Sequence, residues 1–169
     1  LVFNAVDLAG TMIGYQMGLG FATSYDPQNA SQSPVVSEFV GVLALLTFLS
    51  MNGHLMVLAT LVQSFTVIPV GVGKLAAATW LNIANAGGVI FVSGVFLALP
   101  VVIALLITNT ALGILGRVAP QLNIIAVGFP VTLILGFIAL QICLNYLAAP
   151  LQQLFEYGLD SMIRFFVLA

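Results

Sequence analysis

The chain has 169 residues, 62% hydrophobic and only 5% charged, with a net charge of −2 and a mean hydropathy of +1.21. An ordinary soluble domain carries about 25% charged residues, so this composition excludes a self-contained water-soluble globule and demands lipid, partner subunits or both around the apolar faces. Three dispersed basic residues exclude a nucleic-acid footprint, and a single cysteine, Cys143, excludes a disulfide framework or a cysteine-based metal centre within the chain.

The chain opens on Leu1-Val2-Phe3, with no basic stretch ahead of a short apolar core, so no signal peptide is read. Further N-terminal sequence is expected ahead of it. Residues 1–20 read as an apolar helix in which Gly10, Gly14 and Gly18 recur every fourth position. Three absent side chains on one face let another helix approach closely. Gly14→Leu is accordingly expected to block assembly with neighbouring subunits.

Residues 21–34 are the most polar stretch and hold Pro27 and Pro34, which marks a loop. Asn29-Ala30-Ser31 fits the glycosylation pattern, a short motif frequent by chance. Ser33 and Pro34 read as N-cap and first position of a helix running to about Ser64. Pro69, Gly71 and Gly73 break the chain again. Residues 74–86 read as a separate helix that packs or lies at an interface.

Two long stretches follow, 87–115 and 124–149, neither containing Asp, Glu, Lys or Arg. At about 1.5 Å of rise per residue, each is long enough to cross roughly 30 Å of hydrocarbon. Between them lies a turn, 116–123, carrying Arg117, Pro120, Gln121 and Asn123. Arg117 is expected to pin the tip of this 87–149 hairpin to carbonyl or carboxylate groups, and Pro120 and Asn123 to shape the turn. Pro100 is expected to bend the first span and Pro150 to close the second. The tail, 151–168, places Glu156, Asp160 and Arg164 on one face of an amphipathic terminal helix.

Catalysis finds no support in these residues. The only histidine, His54, lies in Asn52-Gly53-His54 within an apolar run, with no acid beside it in sequence. Helical metal-ligand pairs and phosphate-cradling glycine motifs are absent, so no cofactor is expected. Seven amides do interrupt the apolar runs: Asn52, Gln63, Asn82, Asn85, Asn109, Gln141 and Asn145. Each wants a hydrogen-bond partner that hydrocarbon does not supply, which favours faces buried against protein or water. A secondary-transporter fragment with a site near Asn109 and Asn145 is a rival reading, but no internal repeat supports it.

The segment Arg117-Val118-Ala119-Pro120-Gln121-Leu122-Asn123 followed by Val127-Gly128-Phe129-Pro130 resembles the FliR family of flagellar biosynthetic proteins. Gln16-Met17-Gly18-Leu19-Gly20-Phe21-Ala22-Thr23, Asp26-Pro27, the run from Leu43 to Leu49, Asn52-Gly53-His54-Leu55 and Gly87-Gly88 fall in the same order. The resemblance covers effectively the whole chain, and its form leans flagellar over the similar injectisome subunit.

It implies an all-α, membrane-associated subunit of kinked helical hairpins, without enzymatic activity, in the helical pore-forming gate of a type III export system at the bacterial inner membrane. The implied partners are FliP-like and FliQ-like subunits, an FlhB-like switch protein and, transiently, unfolded export substrates. It also implies that the loop after the first helix closes the pore, with Gly18, Gly20, Phe21, Ser24, Tyr25, Asp26 and Pro27 at the plug. Phe21 stands at the family's aromatic position, whereas Ser24 stands where a second aromatic is common and Tyr25 follows it. A Gly18/Gly20-flanked, proline-containing loop could move aside as a gate must.

Overall fold

The computed structural model describes residues 1–22, 34–67, 77–121 and 123–167. Among them the chain is all helix and turn: α1 (Val2–Gln16), a 3-10 turn (Leu19–Ala22), α2 (Val35–Ser50), α3 (Gly53–Val67), α4 (Ala77–Val118) and α5 (Ile124–Val167). No strand occurs among the described residues. This is the all-helical architecture that uncharged apolar runs require, because a helix satisfies its own backbone polar groups where water is absent.

The first helix sits at the centre. Its buried positions Ala5, Val6, Ala9, Gly10, Ile13 and Gly14 recur at helical spacing and pack against α2, α4 and the start of the turn. Opposite them stand Val36, Val40 and Ala44 of α2, Leu97, Ala98, Val101 and Leu105 of α4, and Leu140, Leu151 and Phe155 of α5. The small residues set the spacing. A Cβ built on Gly94 would lie 2.9 Å from the Ala5 carbonyl oxygen, so α4 runs almost in backbone contact with α1 there.

At the far end Phe3, Phe48 and Phe155 bring together α1, α2 and α5, with ring centroids 5.1–5.7 Å apart in edge-on and tilted arrangements. Aromatic rings prefer such geometries because the positive edge of one meets the negative face of another. Phe155, Leu151 and Leu159 form the buried stripe of the last part of α5, while Gln152, Gln153, Glu156 and Asp160 are exposed. The expected amphipathic tail is therefore visible up to Met162; the side chain of Arg164 lies outside the described residues.

Four expectations need correction. The stretch 74–86 is not a separate helix: from Ala77 it is continuous with the first long span, since Gly87-Gly88 weakens a helix by about 1 kcal/mol per glycine without removing a hydrogen bond. Pro150 does not close the second span, because α5 runs through both Pro130 and Pro150 to Val167. Each proline removes one donor, and the hydrogen bonds on either side carry the helix past it. The helix expected from Pro34 to Ser64 breaks instead at Met51-Asn52, where α2 and α3 meet at a bend of 67°. Pro34, expected as the first helical position, occupies the N-cap of α2 with extended ψ of 129°; Ser33 lies outside the described residues.

Ala84–Val118 and Ala126–Met162 are each long and apolar enough to cross a membrane, and the bent pair Val35–Ser50 and Gly53–Thr66 counts as a third such span if taken together. Much of this surface is uncovered within the chain. Leu55, Met56, Leu58, Leu61, Val62 and Phe65 on α3 are all exposed.

Candidate functional site

The end of α1 and the start of α2 form a root that brackets residues 18–33, of which 23–33 lie outside the described residues. Met17, fully buried, closes α1, and its N–H donates to the Ile13 carbonyl at 2.9 Å. Gly18 follows at φ +84 and donates to the Tyr15 carbonyl at 3.0 Å. This is the left-handed C′ position of a helix, which glycine adopts without a Cβ penalty. The turn reverses the chain under Tyr15, whose ring lies 2.5 Å from a Cβ built on Gly20.

Two contacts clamp this root to α5. The Met17 side chain packs so closely on Gly136 that a Cβ there would come within 2.6 Å of it. The buried Thr132 hydroxyl lies 3.3 Å from the Met17 carbonyl oxygen and 3.0 Å from that of Phe129. A carbonyl at the end of α1, beyond the reach of its own helix, thereby gains a partner. The Phe129 ring comes within 3.3 Å of a Cβ built on Gly18.

The other end of the loop returns to the same place. Pro34 and Val36 lie 3.6 and 3.7 Å from a Cβ built on Gly14, one turn before the loop begins. Further along the crossing, a Cβ on Gly10 would lie 2.4 Å from the Ser37 Cα. The Ser37 hydroxyl bonds to the Asp7 carbonyl oxygen at 3.2 Å and to the Asp7 carboxylate. Gly10 and Gly14 thus face α2 of the same chain. A leucine at position 14 would first strike Pro34 and Val36 of the same chain.

Of the expected plug residues, Gly18 and Gly20 stand at the root, and Phe21 belongs to the 3-10 turn, its side chain outside the described residues. Ser24, Tyr25, Asp26 and Pro27 lie outside the described residues. The hairpin tip is placed as a turn: Arg117 is exposed in the last turn of α4, where a cation complements the helix dipole. Pro120, Gln121 and Asn123 are exposed beside it. Asn123 opens α5, its carbonyl accepting from the N–H groups of Ala126 and Val127 at 3.0 and 3.1 Å. Its side-chain oxygen lies 3.3 Å from the Ala126 N–H, a long capping bond.

Most of the described amides remain uncovered by these residues. Asn52, Gln63, Asn85, Gln141 and Asn145 are exposed and Asn109 half-buried, while the side chain of Asn82 lies outside the described residues. His54 is exposed on the first turn of α3. Among the described residues, no three His, Cys, Asp or Glu side chains gather as a metal site would require. Thr132, Gly136, Ser37 and Gly94 were not singled out from sequence; glycine within an apolar run is the one signal that points to two of them.

The sequence pattern of bacterial export proteins, family 1, matches residues 1–158. The chain is 47% identical over 148 residues to the flagellar biosynthetic protein FliR of Escherichia coli K12, covering 88% of this chain and 56% of that protein. It is 43% identical over 162 residues to FliR of Pectobacterium carotovorum subsp. carotovorum, covering 96% and 62%. FliR of Bacillus subtilis 168 is 33% identical over 169 residues, covering 96% and 64%. The chain therefore spans about three fifths of the length of these relatives.

Proposed function

The chain belongs to the bacterial export proteins, family 1, and on that premise we propose that it is a structural and gating subunit of a flagellar type III export channel, without catalytic activity. It helps to form and to close the pore through which unfolded substrates cross the bacterial inner membrane. FliP-like and FliQ-like subunits cover its exposed apolar faces, and an FlhB-like switch protein contacts the assembly at the flagellar basal body.

The observation that carries this reading is the loop root. The chain leaves α1 at a left-handed glycine, Gly18, and α2 begins beside Gly14, while Met17 and Thr132 fasten the end of α1 to α5. A gate needs an immobile frame and a segment that swings from it. The sparse charge of the chain suits a seal against ions, and the uncovered amides suit contact with sister subunits or a wet passage.

Removing residues 21–33 from the full-length protein tests it. The complex should still co-purify with its partners, while cells expressing it leak ions and show raised membrane conductance. Normal conductance in cells that contain the assembled, loop-less complex would count against a plug at this position.

A further inference from the structure

Residues 35–67 contain no proline, and their pattern alone reads as one helix to about Ser64, yet the structure breaks it at Met51-Asn52. Asn52 has φ of 56°, in the left-handed region. Its N–H donates to the Leu49 carbonyl at 3.0 Å, ending α2, while its own carbonyl accepts from the Leu55 and Met56 N–H groups at 2.9 and 3.2 Å, starting α3. Asn52 therefore terminates one helix and begins the next with no linker between them. A change of Asn52 from left-handed to right-handed angles, with Met51 closing from its ψ of 2° to a helical value, would join the two into a single rod. Asparagine is among the few non-glycine residues that tolerate both regions.

The two limbs are held unequally. The first, α2, is locked to α1 at the Gly10–Ser37 crossing and through the Phe3–Phe48–Phe155 cluster. On α3, from Gly53 to Thr66, only Gly53 and Thr60 are buried. The Phe48 ring fills the inside of the corner, 2.3 Å from where a Cβ on Gly53 would stand. We propose that Asn52 is the switch residue between bent and straight forms of the α2–α3 arm, with α3 as the moving limb. This stands independently of the export reading, since it concerns the chain's own backbone.

Phe39 and Phe65 are exposed on the two limbs and serve as label sites after Phe39→Cys and Phe65→Cys in full-length protein in lipid nanodiscs, with Cys143 and any other native cysteine replaced. At about 1.5 Å per residue their separation is roughly 39 Å in a straight rod and about 33 Å at the observed bend. Pulsed electron-spin distance measurement should resolve both separations in the wild-type background. Asn52→Gly, which removes the penalty of the left-handed region, should enrich the shorter distance, and Asn52→Ala should enrich the longer one at least threefold. A label pair at Leu106 and Ile134 should keep one distance throughout, reporting an intact fold. The shorter distance alone in wild type, unaltered by Asn52→Ala, overturns the proposal. If Asn52→Ala yields no folded protein, the wild type decides: a lone short distance there overturns it equally.

Discussion

Gly10→Ala offers a sharp test of how α1 and α2 are held. The added methyl would stand 2.4 Å from the Ser37 Cα and 2.9 Å from the Ser37 nitrogen, where carbon contacts normally lie at about 3.5–4.0 Å. Those atoms are backbone and cannot rotate away, so the helices must part by roughly 1 Å. Overpacking of this kind costs about 1–3 kcal/mol. Parting also breaks the Ser37–Asp7 hydrogen bonds, worth about 1 kcal/mol. Alanine's better helix propensity offsets about 1 kcal/mol. The net expectation is a loss of roughly 1–3 kcal/mol.

Gly14→Ala supplies the internal control. Its methyl would meet nothing closer than 3.6 Å, an ordinary contact, so propensity alone acts and stability should rise by up to about 1 kcal/mol. Reversible unfolding in mixed micelles titrated with sodium dodecyl sulfate measures both. Two variants with the same sign, or a Gly10→Ala protein as stable as wild type, would refute the claim that these glycines differ in what they touch.

Two further substitutions probe the ends of the bundle. Phe155→Ala should cost about 3 kcal/mol, at the low end for aromatic truncation because lipid competes for the apolar surface; a loss below about 1 kcal/mol in the same titration would mean that the three-ring cluster does not join α1, α2 and α5. Thr132→Val keeps the shape but deletes the hydroxyl beside Met17, and should cost about 1 kcal/mol, whereas Thr108→Val, whose hydroxyl bonds only the Ala104 carbonyl of its own helix, should cost less. Equal effects at both positions would remove the clamp from the description of the loop root.

The long hairpin was legible because runs without charge leave few alternatives to apolar helix, and Arg117 with Pro120 marked its turn. The glycine stripe was legible as a place of close approach, but spacing names a face and never the helix that meets it, which proved to be α2 for Gly10 and Gly14 and α5 for Gly18. Prolines misled at position 150, where a rule about single residues met a helix held on both sides. The bend at Asn52 was legible only in part: an Asn-Gly pair marks a turn, but the apolar residues on both sides read as one continuous helix, and the Phe48 ring against Gly53 shows the corner. Thr132 was hidden among look-alikes. Thr47, Thr60, Thr108 and Thr110 all bond the carbonyl four residues back, and sequence gives no means of telling the threonine that reaches another helix from those that do not.

The length of the hairpin bears on what surrounds it. The 42 residues of α4 extend roughly 63 Å, about twice the hydrocarbon thickness of a bilayer. Its strongly apolar part, the 35 residues Ala84–Val118, still extends about 52 Å. Even at a tilt of about 40°, the steep end of what spanning helices adopt, that part projects about 40 Å along the membrane normal and leaves roughly 10 Å outside the hydrocarbon. Exposed apolar side chains continue to both limits, from Leu81 to Val118. Lipid alone therefore covers one zone of the helix and water would meet the remainder, so the uncovered portion requires protein against it. The exposed Gln141 and Asn145 of α5 make the complementary demand, since they fall within the span that lipid would otherwise surround. An apolar helix too long for the bilayer and an amide pair ill-suited to it are both accommodated by protein packed against them, and neither is accommodated by lipid alone.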